Sequence, residues 1–160
     1  MITITKLFPD YPFAHRQPNH AGHCRLIHGH NWSFEITFAA TSLDDNGFVA
    51  DFGKMQGVKQ WLTEHFDHTL VLNHNDPALG YIREALVRGV TGVCDLAKIV
   101  TVPNCGAEGL AEFVGRRINH QLPLMFVDCY ARALHVVRVT AYEDSKNSAT
   151  WELGKGEAPR

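Results

Sequence analysis

Apolar and polar residues alternate along one stretch in the first quarter of the chain. Four large apolar residues separated by single polar ones form this pattern: Trp32, Phe34, Ile36 and Phe38. A period of two predicts a strand with one buried face, which we place over residues 28–41. Continued backwards along the strand, the alternation puts His28 and His30 on the same face as Trp32.

Other patterns predict helices in the middle of the chain and further strands towards its two ends. Apolar spacings of three and four predict helices over residues 52–66 and 108–122, and a shorter helix is predicted over residues 77–88. Asp51 lies at the N-cap position of the first helix, and Gly89 and Gly92 end the shorter one. The remaining strands are predicted over residues 2–8, 99–102, 134–143 and 148–153. Irregular structure is predicted over residues 9–22 and 67–76, and a short extended piece over residues 48–50.

This order of strands, helices and strands predicts an α+β fold. We expect an antiparallel four-stranded sheet with two main helices on one face. Such a sheet has exposed edges, which indicates edge pairing between subunits. Neither a repeat nor a low-complexity linker divides the chain. We therefore expect a single domain over residues 1–153, followed by a flexible tail over residues 154–160.

Composition narrows the class of protein without defining its chemistry. The 160 residues are 45% hydrophobic and 20% charged, as in an ordinary globular domain. A net charge of −2 without a Lys/Arg cluster gives no case for a nucleic-acid partner. No apolar run approaches the ~20 residues of a membrane span, and the N-terminus lacks a signal-peptide pattern, so we expect a cytoplasmic protein. The four cysteines are expected to be free thiols.

The strongest chemical signal is the pair of histidines at the start of the long strand. Two imidazoles that project in parallel from a strand can share one metal ion, and a third would leave one coordination position open for water or substrate. His15 is a candidate third ligand, with which His20 and His23 compete. The simpler explanation is that His28 and His30 are half-buried and bonded to the backbone.

A cysteine and an Asp-His pair are candidates for proton transfer. Cys24, four residues before His28, is either a buried thiol, a fourth metal ligand, or a thiolate acting as base or nucleophile. Asp67 and His68 follow a helix end. The carboxylate can orient the imidazole so that it passes protons, or the histidine can simply satisfy free helix carbonyls.

Two glutamates complete the set of candidates. Glu143 ends a strand, where it is either a solvated charge or an anchor for a guanidine-like edge. A carboxylate accepts two parallel N–H bonds, which is the geometry that a pterin or guanine ring presents. Glu108 begins a helix, and the helix dipole is the simplest explanation for its position.

Taken together, these residues resemble the 6-pyruvoyl-tetrahydropterin synthase / 6-carboxytetrahydropterin synthase family over nearly the whole chain. The motifs, in order, are Phe-x-His-Arg at 13–16, Cys-x3-His-Gly-His at 24–30, Gly-x-Val-x-Asp-Phe at 47–52, Asp-His-Thr-Leu-Val-Leu-Asn at 67–73, and Glu143 followed eight residues later by Trp151. The resemblance implies a tunnelling fold, in which subunits join their sheets into a barrel. It also implies a homo-oligomer, either a trimer or a dimer of trimers.

The resemblance further implies the cofactor, the substrate and the roles of the residues. Zn²⁺ would be held by His15, His28 and His30, and the substrate would be 7,8-dihydroneopterin triphosphate. Catalytic and substrate-binding roles are implied for five residues: Cys24 and His68 in proton transfer, Asp67 in holding the His68 tautomer, and Glu143 and Glu108 in binding the pterin. The product is either 6-carboxy-5,6,7,8-tetrahydropterin, which leads to queuosine, or 6-pyruvoyl-tetrahydropterin. A zinc- and pterin-binding assembly protein without turnover is a further alternative.

One run departs from the family pattern. Cys105-Gly106-Ala107 precedes Glu108, where family members often carry hydroxyl residues that help to hold the pterin. Backbone groups are expected to substitute for those hydroxyls. Residues 75–98 are also longer than in the compact carboxy-synthase pattern, which indicates a changed pocket rim or subunit contact.

Overall fold

Strands and helices of the computed structural model are described here for residues 1–87, 96–154 and 156–157. In these ranges the strands are β1 (Ile2–His15), β2 (His28–Ala40), β3 (Thr69–Asn73), β4 (Lys98–Val102), β5 (His135–Tyr142) and β6 (Ser148–Glu152). The helices are α1 (Gln56–Phe66), α2 (Leu79–Val87) and α3 (Ala107–Met125). Short 3₁₀ turns cover His23–Arg25 and Phe52–Met55.

The described strands form one mixed sheet in the order β4-β3-β1-β2-β5-β6. Neighbouring strands are antiparallel from β1 through β2 and β5 to β6. The pairs β1–β3 and β3–β4 are parallel. The two longest strands, β1 and β2, are therefore neighbours near the centre of the sheet, and the structure of the site depends on their register.

A single hydrophobic core joins the sheet to α1 and α3. From β2 it takes Trp32, Phe34 and Ile36, which are fully buried as the alternation predicts. From the helices it takes a buried stripe at spacings of three and four: Val58, Leu62, Phe66, Leu110, Val114 and Ile118. Each such side chain contributes about 1.5–3 kcal/mol when fully buried, which explains why these helices pack on the sheet.

A β-bulge in β1 keeps the core face continuous. Phe8 pairs with Phe34, but the next core residue, Tyr11, pairs with Trp32, so β1 contains one extra residue in this interval. Asp10, inside the bulge, has a φ of 67°, in the left-handed region that Asp tolerates better than most residues. Because side chains alternate with a period of two, the extra residue moves His15 to the core face.

Several expectations about the sheet are wrong. The described sheet has six strands rather than four, and it is mixed rather than antiparallel. Residues 67–76 contain β3, whose run from Thr69 to Leu72 is buried throughout and so lacks the alternation that marks a half-exposed strand. β1 continues to His15 because the Pro9–Asp10 interruption is a bulge and not a strand end. Residues 48–50 do not form an extended piece, since residues 49 and 50 are bends and Phe48 has no regular structure.

Other expectations are confirmed. The α+β class is confirmed, and the long strand β2, the strands β4 to β6 and the helices α1 and α3 lie where the pattern predicts them, within four residues at each end. Asp51 accepts a hydrogen bond from the Gly53 N–H at 2.8 Å, which starts the helical segment with a 3₁₀ turn. α2 is a third helix, and its predicted stops, Gly89 and Gly92, lie outside the described residues.

Some expectations about the whole molecule stay predictions. They are the division into residues 1–153 and 154–160, the intersubunit barrel and the homo-oligomer. Among the described residues, none of the helices combines the length and the apolar character that crossing a bilayer requires. Cys24, Cys105 and Cys129 are free thiols, as expected, and Cys94 lies outside the described residues.

The packing of β6 on α3 gives a test of this fold. A methyl group added at Gly115 would collide with the ring of Trp151, whereas one added at Gly80 in α2 would meet nothing within 4 Å. We expect Gly115→Ala to lower the free energy of unfolding by about 1–3 kcal/mol, because the Trp151 ring would have to move. Gly80→Ala should leave it unchanged or raise it by up to about 1 kcal/mol. Urea denaturation compares the two, and equal stability of both variants would contradict this packing.

Candidate metal centre

Three histidines meet at the end of the sheet where β1 stops and β2 starts. In the antiparallel register, His15 pairs with His28, and Phe13 pairs with His30. The ring centroids are 4.6 Å apart for His15 and His28, 5.1 Å for His28 and His30, and 5.5 Å for His15 and His30. The predicted placement of His28 and His30 on the face of Trp32 is confirmed. The centroid of the His30 ring lies 5.1 Å from that of His28 and 6.0 Å from that of Trp32.

Backbone carbonyls fix the orientation of two of these rings. His15 Nδ1 donates to the Cys105 carbonyl at 2.8 Å, and His28 Nδ1 donates to the Leu26 carbonyl at 2.8 Å. Since a carbonyl only accepts, Nδ1 carries the proton in both neutral rings. The lone pair is therefore on Nε2 in both, which is the atom left to bind a metal ion.

The buried ring nitrogens indicate a missing ligand. His15 Nε2 and His30 Nε2 are both buried and have no hydrogen-bond partner among the described residues. A buried polar atom without a partner costs about 1–3 kcal/mol, so native structures rarely keep one without a reason. A metal ion bound by both atoms would remove this cost.

Glu143 adds a carboxylate to the three imidazoles. Its Oε1 lies 3.3 Å from His15 Nε2 and 3.6 Å from His30 Nε2, without a hydrogen bond to either. A tetrahedral ion with bonds of about 2.0–2.1 Å separates its ligand atoms by about 3.3 Å. One ligand atom from each of four residues, His15, His28, His30 and Glu143, lies within 4.8 Å of all the others. This group fits a metal ion.

Burial keeps the His15 ring in its neutral form. The pKa of His15 is lowered, first by burial, which disfavours the charged ring, and further by the neighbouring His28 and His30. The Cys105 carbonyl and Glu143 oppose this shift. A lowered pKa means that His15 is neutral at neutral pH, and neutral imidazole is the form that binds metals.

The structure distinguishes among the three histidines that the sequence offers as the third metal ligand. His15 lies in the cluster, whereas His20 and His23 are not part of it in the described structure. His20 instead accepts a hydrogen bond from the Gly22 N–H through its Nδ1. Cys24 lies in the 3₁₀ turn just before β2, half-buried, and is not among the grouped ligands either.

The sequence does not indicate the contacts that hold His15 and its neighbour Arg16 in place. Arg16, the next residue, makes a bidentate ion pair with the buried carboxylate of Asp76, with N···O distances of 2.8 and 3.1 Å. The Cys105 carbonyl holds the His15 ring. A backbone acceptor has no residue-type signature, so no pattern in the sequence could have indicated it.

A cavity adjoins the cluster. Its volume is about 510 Å³, within the range of small-molecule sites, and His30 and Glu143 are part of its wall. The rest of the wall is mostly polar: Asn31, Ser33, Glu35, Tyr142, Asp144 and Ser145, with Leu7. Glu143 therefore faces both the histidine cluster and a space large enough for a heterocyclic ligand.

The Asp-His pair is formed but lies apart from the histidine cluster. His68 Nδ1 donates to Asp67 Oδ1 at 2.7 Å, so the carboxylate sets the tautomer of the imidazole. The His68 side chain is 83% exposed, and its backbone N–H bonds to the Pro12 carbonyl on the β3 side of β1. In the described residues, no hydrogen bond joins His68 to Cys24.

Glu108 lies in a different cavity from Glu143. It is exposed in the first turn of α3 and lines a space of about 460 Å³ with Arg116 and Arg117. Nearby, a side chain added at Gly106 would meet the Gln17 amide nitrogen at 2.6 Å. Gln17 thus occupies the space beside the run that departs from the family pattern.

The chain combines an α+β fold with a histidine–glutamate cluster that could hold a metal ion, where β1 ends and β2 begins. A sequence model described as 6-pyruvoyl tetrahydropterin synthase (PTPS) matches residues 3–153. The chain belongs to this family.

Similar proteins of known sequence carry a related name. The 6-carboxy-5,6,7,8-tetrahydropterin synthase of Rickettsia typhi is 39% identical over 81 residues, which is 50% of this chain and 58% of that protein. The protein of the same name from Bacillus subtilis is 39% identical over 56 residues, 35% of this chain and 36% of that protein. The matches thus span 58% and 36% of the length of these two curated relatives.

Solved structures show the same fold at low sequence identity. An uncharacterised protein from Wolinella succinogenes superposes with a TM-score of 0.75 at 19% identity, covering 96% of this chain and 98% of that one. The 6-pyruvoyl tetrahydropterin synthase of Plasmodium falciparum gives a TM-score of 0.60 at 15% identity, covering 93% and 96%. These similarities extend over nearly the whole chain.

Two histidines with the same local geometry test the metal centre. His28 and His135 both start a strand and both donate Nδ1–H to the carbonyl two residues earlier, but only His28 lies in the cluster. We expect His28→Ala to weaken Co²⁺ binding by more than about 100-fold, because removing a ligand costs more than the 10–100-fold of an outer-shell change. His135→Ala should bind like the unmodified protein. Titration of the visible Co²⁺ absorption measures both, and equal binding by the two variants would contradict the assignment.

Proposed function

We propose that this protein converts 7,8-dihydroneopterin triphosphate and one water molecule to 6-carboxy-5,6,7,8-tetrahydropterin, triphosphate and acetaldehyde, in a zinc-dependent lyase reaction. The observation that supports it is the set of orphaned imidazole nitrogens of His15 and His30 beside His28 and Glu143. The chain belongs to the PTPS family, and its named relatives are 6-carboxy-5,6,7,8-tetrahydropterin synthases. The product would serve queuosine and deazapurine synthesis in the cytoplasm.

The donor set favours zinc as the metal. Imidazole nitrogens with a carboxylate or an open position are typical of catalytic zinc sites. Zn²⁺ held by His15, His28 and His30 would supply Lewis-acid chemistry towards the side-chain hydroxyls of the substrate. The remaining chemistry is assigned to residues of the chain.

Glu143 is proposed to anchor the pterin ring. Its carboxylate lines the cavity of about 510 Å³, where it can accept the paired N–H bonds of the amino-pyrimidine edge. The same carboxylate lies close enough to His15 to act as a fourth ligand before substrate binds. Glu108, in the other cavity, stays a proposed substrate contact.

Removing the charge on Glu143 separates its proposed role as a pterin anchor from a role as a metal ligand. We expect Glu143→Gln to raise KM by about 10-fold or more, because hydrogen bonds to a charged group contribute about 1.5–3 kcal/mol. Zinc affinity should stay within about threefold of the unmodified protein, since the three histidines remain and the glutamine side chain keeps an oxygen that can take the fourth position. Glu35→Gln, in the same cavity wall, is the control and should change neither value. A large loss of zinc affinity with unchanged KM would make Glu143 a ligand and not an anchor.

Cys24 and the Asp67–His68 pair are proposed to move protons at the substrate side chain. Asp67 holds the proton on His68 Nδ1, so the other ring nitrogen is free to accept a proton. Because His68 is exposed and has no hydrogen bond to Cys24 in the described protomer, we propose that the two meet across subunits of a homo-oligomer, a trimer or a dimer of trimers.

Mixing inactive variants tests this shared site. Cys24→Ala and His68→Ala should each lower kcat by about 10²–10⁴-fold, as expected for loss of an acid–base group. Unfolded and refolded together in equal amounts, they should regain activity, because about a quarter of the sites in a closed ring would combine an intact Cys24 with an intact His68. Activity that stays at the level of the separate variants would place both residues in one protomer.

Product analysis tests the proposed reaction itself. Zinc-loaded protein is incubated with 7,8-dihydroneopterin triphosphate, and the products are identified by mass spectrometry. A 6-carboxy product together with acetaldehyde is expected. A 6-pyruvoyl product would instead support the second candidate function, which the description of the matching family favours. Folded, zinc-loaded protein without turnover would overturn both and leave a pterin-binding protein.

A further inference from the structure

Cys105, whose carbonyl binds the His15 ring, makes three hydrogen bonds around this site. The Cys105 carbonyl accepts from His15 Nδ1 at 2.8 Å, and the Cys105 thiol donates to the Arg16 carbonyl at 3.0 Å. The Cys105 N–H donates to the side-chain oxygen of Asn73 at 2.7 Å. The first two bonds tie Cys105 to the end of β1. The third ties it to the end of β3.

Asn73 is fixed in place by the sheet. It forms the last β3–β4 pair, with the buried Val102, and the next N–H, that of His74, bonds back to the Val102 carbonyl. Three residues after Val102 the chain reaches Cys105, just before α3 begins. The short bond from Cys105 to Asn73 therefore sets the path of the chain between β4 and α3 at the point where its carbonyl meets His15.

We propose that Asn73 is a positioning residue for the metal centre. Its amide oxygen holds the Cys105 backbone so that the carbonyl fixes the tautomer and the direction of the His15 ring. This inference rests on the proposed zinc site. It goes beyond that site because Asn73 is not one of the grouped ligands and reaches His15 through Cys105. The Asn73 amide nitrogen also donates to the Gln17 side-chain oxygen, at the longer distance of 3.5 Å.

A second asparagine provides a matched control. The side chain of Asn119 accepts from the Val136 N–H at 2.6 Å and donates to the Val136 carbonyl at 3.1 Å, joining α3 to β5. It thus makes the same kind of side-chain contact to backbone as Asn73, but with a residue outside the metal cluster. Loss of either amide should lower stability, whereas only loss of Asn73 should disturb His15.

The experiment compares zinc affinity in three variants by chelator competition, at a temperature where circular dichroism shows each to be folded. Asn73→Ala should weaken zinc binding by about 10-fold or more, the usual effect of removing an outer-shell partner. Asn73→Asp keeps the acceptor oxygen and should bind within about threefold of the unmodified protein. Asn119→Ala should bind zinc normally despite its lower melting temperature.

A measurement on the metal-free protein reports on the His15 ring directly. Long-range ¹H–¹⁵N spectra should show His15 as the Nδ1–H tautomer, with slow exchange of that proton, and Asn73→Ala should speed the exchange.

His15 in the Nε2–H tautomer in the unmodified protein would overturn the inference. So would unchanged zinc affinity in Asn73→Ala, or an equal loss in Asn119→Ala. If the unmodified protein binds no zinc, the proposed function fails together with this inference, whereas normal zinc binding with an unaffected Asn73→Ala variant removes the inference alone.

Discussion

The register between β1 and β2 is the constraint on which the rest of the site depends. Side chains alternate along a strand, so the single extra residue between Phe8 and Tyr11 decides which face of the sheet receives His15. With the bulge, His15 lies beside His28 and His30 on the face that α1 and α3 cover. Without it, the same sequence would place this imidazole on the opposite face. The hydrophobic core therefore fixes the ligand geometry, because Tyr11 and Phe13 cannot leave it without losing their burial.

Backbone contacts organise the residues of the candidate metal centre. Carbonyls hold the rings of His15 and His28 with Nε2 free, and burial lowers the pKa of His15 so that the ring is neutral. Two buried nitrogens without partners cost stability in the metal-free state. Metal binding would recover that cost and stabilise the folded state further by mass action. Metal affinity and folding stability are thus coupled through the same few contacts around Cys105 and Glu143.

Local patterns in the sequence were enough for part of this site and not for the rest. His28 and His30 follow from the period-2 alternation of a single strand, but the choice of His15 depends on a bulge that resembles a strand end in the sequence. The parallel strand β3 has no alternation to reveal it, because both of its faces are buried. The sequence assigns Glu143 to the substrate, and only the pairing of β5 with β2 shows that it also lies beside His15 and His30. The proposed encounter of Cys24 with His68 would require assembly of subunits, for which the sequence of one chain carries no local pattern.

X-ray absorption of the zinc-loaded protein tests the central claim, that three imidazoles form the metal centre and that Cys24 does not bind the metal. The account predicts a first shell of nitrogen and oxygen at about 2.0–2.1 Å, with the multiple scattering of three imidazole rings. A sulfur shell at about 2.3 Å would make Cys24 a ligand and remove it from the proton-transfer role. Fewer than three imidazoles would contradict the register-based geometry of His15, His28 and His30.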